Sequence, residues 1–191
     1  MARAEGTDLG RRSLLMGRVA EAGRSRAVRP PWATEASVSA GCTSCGACME
    51  ACPEAILLAD PDGQPFVDFS ETACTFCGAC AVACEADVFA PAGPDGTRPQ
   101  SEAFAHVVTL SNACLMTSGV ECRLCADHCD ARALRFDYAI RPAGGIRLEA
   151  EACTGCGACI APCPTSAIEV RFQHVPARAG QPDTLKHEAR A

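Results

Sequence analysis

Residues 42–53 read Cys-Thr-Ser-Cys-Gly-Ala-Cys-Met-Glu-Ala-Cys-Pro, and the same text returns almost unchanged at 74–85 and 153–164. Each copy has the spacing C-x2-C-x2-C-x3-C, with a Gly-Ala pair between the second and third cysteines. A fourth group, Cys114, Cys122, Cys125 and Cys129, keeps the last two intervals but stretches the first to seven residues, and it carries Arg123-Leu124 in place of the usual pair of small spacers. Self-similarity of this kind decides the architecture. All 16 cysteines of the 191-residue chain fall into these four groups.

Three thiolates in seven residues can surround one corner of an iron–sulfur cubane. The small residues at Gly46, Gly78 and Gly157 let the loop wrap closely and turn backbone N–H groups toward sulfide. In runs of this spacing the fourth cysteine ligates the other cluster of a pair. The geometric expectation is that the fourth cysteine opens a short helix leading away from its own loop. Crossed ligation then gives cluster one Cys42, Cys45, Cys48 and Cys84, and cluster two Cys74, Cys77, Cys80 and Cys52. Cluster three takes Cys114, Cys122, Cys125 and Cys163, and cluster four takes Cys153, Cys156, Cys159 and Cys129. No cysteine is left over. Four 4Fe-4S clusters are expected, or three if the Cys114 group is not a site. Zinc also accepts paired C-x2-C knuckles, but it takes two knuckles separated by a longer loop.

Composition supports a cofactor-held fold. The chain has seven Phe, one Tyr and one Trp against 16 Gly and 13 Pro, too little bulk for a large side-chain core. Net charge is −6, and its distribution is uneven: residues 1–40 hold seven arginines against four acids, whereas 41–191 hold ten basic and nineteen acidic residues. An acidic body argues against nucleic acid as a partner. Four clusters at roughly −2 each would make the holoprotein more acidic still and favour docking on basic surfaces.

The intervals between the groups organise the chain. Between Cys52 and Cys74, Ala55–Leu58 and Phe66–Phe69 flank a turn at Asp60–Gly63; between Cys129 and Cys153, Ala133–Phe136 and Ile146–Leu148 flank Arg141–Gly145. Alternating apolar runs around such turns are hairpin signals. The predicted organisation is a basic arm over 1–40, a first half over 41–90, a Pro/Gly linker over 91–103, a second half over 104–175 and a polar, disordered tail over 176–191. Within the arm, Leu14, Leu15 and Val19 recur at helical spacing, which suits a short amphipathic helix that docks a partner or packs back on the body.

Several classes are excluded or set aside. Ala103–Val120 is free of Asp, Glu, Lys and Arg, but its polar residues disqualify it as a membrane span, so no membrane insertion is expected. Arg11-Arg12-Ser13-Leu14-Leu15 has the look of a twin-arginine signal, yet Arg18, Glu21, Arg24 and Arg26 interrupt the apolar stretch that export requires. The expected location is therefore cytoplasmic, where thiols stay reduced and disulfides are disfavoured. His106, His128, His174 and His187 are scattered and read as ordinary residues. No nucleophile motif, phosphate loop or carboxylate pair stands out, and an enzyme is not expected. Pro53 and Pro164 follow the fourth cysteine in two groups and would pre-set a first helical turn, whereas Glu85 and Asp130 stand there in the others. Arg123 and His128 would place positive or donor groups near cluster three, and added positive charge would raise its potential relative to the others.

The cysteine pattern resembles a duplicated bacterial ferredoxin, which implies an α+β fold of two 2×(4Fe-4S) halves. The order Arg11–Arg18, Arg29-Pro30-Pro31-Trp32, and then four groups with the stretched third one (Asn112–Cys114, Val120–Cys125) is similar to the NapF family. These are ferredoxin-type accessory proteins of the periplasmic nitrate reductase system. The resemblance implies a cytoplasmic iron–sulfur protein that binds the catalytic subunit precursor and assists its maturation before export. An electron-transfer subunit or relay of a larger respiratory oxidoreductase is the alternative.

Overall fold

A computed structural model describes residues 27–172. The helices are short: α1 (Glu35–Gly41), α2 (Ala47–Glu50), α3 (Ala79–Val82) and α4 (Leu124–Asp127). Six strands form three separate antiparallel pairs: β1 (Leu57–Ala59) with β2 (Pro65–Val67), β4 (Leu134–Asp137) with β5 (Gly145–Leu148), and β3 (His106–Leu110) with β6 (Ile168–Phe172). The first two pairs are the hairpins that the sequence predicts, with Leu57 opposite Val67 and Leu134 opposite Leu148. The Asp60 carboxylate closes the first turn by accepting the backbone N–H groups of Asp62 (3.0 Å) and Gln64 (2.9 Å), an Asx-type turn.

The pairing of β3 with β6 has no counterpart among the sequence expectations. His106 stands opposite Phe172 and Leu110 opposite Ile168, so this sheet clasps the start of the second half to its end. Both segments carry strand-like apolar residues, but their partners lie far apart in sequence, where local turn chemistry gives no signal. The first half closes in the corresponding place with a lighter contact. Ala33 bridges Phe89, and the Ala90 N–H donates to the Trp32 carbonyl at 2.7 Å.

This closure uses residues 27–40, the inner part of the predicted arm. The Val67 N–H donates to Val28 O at 2.7 Å. The Arg29 side chain, 9% exposed, donates to both Glu35 carboxylate oxygens (2.7 and 2.9 Å), to Asp60 (3.1 Å) and to Pro65 O (3.0 Å). Burial alone would raise the Asp60 carboxyl, but the Gln64 N–H, the Arg29 guanidinium and the Asp62 N–H together hold it below the usual range. Trp32 is buried, and both its N–H groups donate into the Pro/Gly segment: the backbone N–H to Ala103 O (2.7 Å) and Nε1 to Pro99 O (3.0 Å). Residues 10–24, with the expected amphipathic helix, and the predicted tail over 176–191 lie outside the described residues.

Helix α1 presents the first cysteine. Thr34 and Ser37 cap each other reciprocally: the Ser37 N–H donates to Thr34 Oγ1 (3.0 Å) and the Thr34 N–H to Ser37 Oγ (2.9 Å). Val38 is fully buried, and its carbonyl accepts the Cys42 N–H at 2.9 Å.

The buried apolar residues divide into two clusters. One gathers Ile56, Leu57, Val67 and Phe69 around Cys48 and Cys80; the other gathers Val108, Leu134 and Ile168 around Cys125 and Cys159. Ile160 packs against both. Buried cysteines therefore belong to the core of each half.

Candidate metal centres

The short helices repeat one device. In α2, α3 and α4 the third cysteine of its group (Cys48, Cys80, Cys125) is the second helical residue, and the fourth (Cys52, Cys84, Cys129) follows just past the helix end. The fourth cysteine therefore ends a helical turn; it does not open one, and the expected helix beyond it is absent among the described residues. In group four, hydrogen-bonded turns replace the helix, with Ile160 N–H on Gly157 O (2.9 Å) and Cys163 N–H on Ile160 O (3.1 Å). One helical turn is enough to put the two sulfurs of each pair on neighbouring sites. In three of the four groups the chain turns through a left-handed residue three positions after the fourth cysteine: Ala55 (φ 52°), Arg132 (φ 52°) and Ser166 (φ 50°). Arg132 follows Asp130, so the turn forms without the proline found at Pro53 and Pro164.

The loop before the third cysteine is equally regular. Ser44 (φ 55°) and Phe76 (φ 57°) take the left-handed conformation between the first two cysteines, and each donates its backbone N–H to the first cysteine's sulfur at 3.4 Å. The stretched group reaches the same end differently. Its extra residues coil into a 3-10 turn, Leu115–Ser118, closed by Gly119 at φ 76°. Met116 is buried beneath this turn, and its Sδ accepts the Cys122 N–H at 3.0 Å.

Four solvent-open concavities result, and each is lined by four cysteines. Cys42, Cys45, Cys48 and Cys84 line one of about 390 Å³, with Met49, Pro65 and Val88 in its wall. Cys52, Cys74, Cys77 and Cys80 line one of about 320 Å³ with Ile56 and Leu57. Cys114, Cys122, Cys125 and Cys163 line one of about 310 Å³ with Leu110 and Ile168. Cys129, Cys153, Cys156 and Cys159 line one of about 320 Å³ with Val108 and Leu134. In each quartet three cysteines belong to one group and the fourth to another. They are quartets one to four, in the order of the clusters assigned from sequence.

None of the sixteen cysteines forms a disulfide. Among the described residues no three Cys, His, Asp or Glu side chains stand close enough to share a single metal ion. The sulfurs ring a volume and do not converge on a point, as a tetrahedral zinc site with Zn–S of about 2.3 Å would require. A thiolate-rich, apolar-walled ring suits a polynuclear iron–sulfur group bound at its corners.

Electrostatics inside the rings disfavour bare thiolates. Burial, and then the neighbouring sulfurs, push Cys80 and Cys159 up to about 12. Burial is also the main cause that takes Cys125 up to about 11. Cys163 goes the other way: burial would raise it, but the Ala167 N–H (3.2 Å) and the Thr165 backbone and hydroxyl stabilise its thiolate. The Leu134 N–H donates to the Cys129 Sγ at 3.5 Å.

Of the two residues assigned to cluster three, Arg123 is paired with an acid and His128 lies at another ring. Arg123 pairs with Asp127 at 3.7 Å and donates to the Tyr138 hydroxyl at 3.1 Å, so an acid answers its charge. His128 engages the Leu124 carbonyl (2.8 Å) and borders quartet four, not quartet three. The cause is the crossed arrangement: Cys129 leaves its own group's ring and takes His128 with it. His106 is the buried polar residue of the core, 3% exposed, with Nε2 at 2.9 Å from Gly155 O, and burial lowers its pKa. Neither its position nor the apolar walls of the rings carried a sequence motif.

The family of 4Fe-4S dicluster domains matches residues 41–88 and 120–167. Over 168 residues the chain is 38% identical to the ferredoxin-type protein NapF of Escherichia coli K12, covering 87% of this chain and 97% of that protein. The NapF of Haemophilus influenzae is 42% identical over 142 residues, 74% of this chain and 77% of the relative. One subunit of an ion-translocating oxidoreductase complex from Methanosarcina acetivorans is 33% identical over 138 residues, 69% of this chain and 47% of its own length. No solved structure matches.

Proposed function

This chain belongs to the NapF family of ferredoxin-type proteins, and we propose that it acts in the cytoplasm, where it binds the precursor of a periplasmic nitrate reductase catalytic subunit and assists its maturation before export. The observation that carries this reading is similarity to NapF along nearly the whole length of that relative. The chain is an iron–sulfur protein with two dicluster domains and about four 4Fe-4S clusters. We assign their ligands as the four quartets: Cys42, Cys45, Cys48 and Cys84; Cys74, Cys77, Cys80 and Cys52; Cys114, Cys122, Cys125 and Cys163; and Cys153, Cys156, Cys159 and Cys129. The donor set and its apolar walls support that assignment.

When bound, such clusters supply one-electron chemistry. The chain's own part is to present thiolates, exclude water with Ile56, Leu57, Val108 and Leu134, and aim backbone N–H groups at sulfur from Ser44, Phe76, Leu134 and Ala167. No helix among the described residues is long and apolar enough to cross a membrane. A second reading, a relay within a larger respiratory oxidoreductase, draws on the Methanosarcina relative and on the Cys74 N–H to Cys156 O hydrogen bond between two of the quartets.

An anaerobic pull-down of the reconstituted protein separates the two readings. The tagged precursor of the catalytic subunit should retain the holoprotein at least about ten-fold over the mature, cluster-loaded subunit, a difference of about 1.4 kcal/mol. Equal retention by both forms, or by neither, contradicts a role before export and favours the relay.

A further inference from the structure

The two halves meet at their inner quartets. The Cys74 N–H donates to the Cys156 carbonyl at 2.9 Å. Cys74 lines quartet two and Cys156 lines quartet four. A continuous route therefore runs Sγ–Cβ–Cα–N–H of Cys74 to O=C–Cα–Cβ–Sγ of Cys156, crossing between halves through one hydrogen bond.

A row of rings reinforces the same junction. Phe76, inside the quartet-two loop, meets Phe104 edge to face (centroids 6.1 Å apart), and Phe104 meets His106 at 5.0 Å. His106 then holds the Gly155 carbonyl, inside the quartet-four loop. Phe69 closes the gap from the other side: a Cβ on Gly157 would overlap its ring, so glycine there lets the halves approach. Within each half, the one-turn spacing of Cys48 to Cys52, and of Cys125 to Cys129, already joins the two quartets.

We propose that the Cys74–Cys156 contact makes the two halves one electron path, in the order quartet one, quartet two, quartet four, quartet three, with quartets one and three as its outer ends. The proposal rests on the ligand assignment above. One electron leaves a reduced centre at quartet two, oxidising it, and reduces the centre at quartet four; no covalent bond changes and no proton is required. A one-electron reductant at an outer end supplies the electron, dithionite in the test.

The test uses the full-length protein reconstituted anaerobically with iron and sulfide. Alanine is the replacement, because serine oxygen can itself bind iron. Cys45→Ala with Cys122→Ala leaves quartets two and four intact, and Cys77→Ala with Cys156→Ala leaves one and three. Each variant should hold about 8 iron against about 16 in the parent. After full reduction, the paramagnetic resonance of the first should show the splitting and broadening of two interacting spins. The second should show the plain sum of two isolated centres. A plain sum from the inner pair overturns the proposal. Iron that stays near the parent value overturns the ligand assignment, a separate and distinguishable failure, and the proposal with it. Where a double variant does not load, Cys77→Ala alone answers: the quartet-four signal should sharpen when its neighbour is lost, and an unchanged signal overturns the proposal.

Discussion

Cys84→Ala and Cys48→Ala should delete the same iron–sulfur centre, although the two residues belong to different cysteine groups. Cys52→Ala and Cys80→Ala should delete a second one. Each single variant should drop from about 16 to about 12 iron per chain, and the low-temperature difference spectra should coincide within each pair and differ between pairs. The physical reason is the helical turn. α2 carries Cys48 into the ring it shares with Cys42 and Cys45, then delivers Cys52 to the ring of Cys74, Cys77 and Cys80. α3 returns Cys84 to the first ring in exchange. Spectra that pair Cys48 with Cys52 would mean that each group of four closes on itself, and the rings described above would not be the sites.

Removing the iron should unfold the body of the protein. The buried residues of each hydrophobic cluster include cysteines, Cys48 and Cys80 in one and Cys125 and Cys159 in the other. Only one cysteine in each ring is buried, and the strand pairs around the rings are three to five residues long. Such pairs are not stable alone. Where a metal site stands in for a core, its binding energy is folding energy, on the order of 10 kcal/mol, comparable with the whole stability of a small domain. Anaerobic chelation should therefore abolish cooperative thermal unfolding and most of the ordered circular dichroism together with the visible absorption. A chelated protein that still melts cooperatively near the parent temperature would show that side-chain packing suffices.

The cysteine groups and both hairpins are legible in the sequence because their determinants are local: fixed spacings, a left-handed turn residue, an Asp-Gly or Gly-Gly turn. The crossing of the quartets is legible only through the chemistry of the spacing. What escapes the sequence is non-local. The β3–β6 clasp joins His106–Leu110 to Ile168–Phe172 across an entire half. Arg29 and Trp32 read as part of a basic arm, yet Arg29 spans from Glu35 to the hairpin at Asp60, and Trp32 ties the Pro/Gly segment down. His128 departs from its expected place for the same reason: proximity in sequence to Cys125 suggests cluster three, while Cys129 draws it to the ring of Cys153, Cys156 and Cys159. The stretched third group is the least regular part of the pattern, and nothing in Cys114–Cys122 announces that Met116 turns inward and takes the Cys122 N–H.

That group decides the central claim, that every cysteine serves and four clusters are held. The direct measurement is iron and acid-labile sulfide per chain after anaerobic reconstitution of the wild-type protein, repeated on Cys114→Ala. The expected result is about 16 of each, falling to about 12 in the variant. A wild-type value that settles at about 12 and does not change in Cys114→Ala would contradict it.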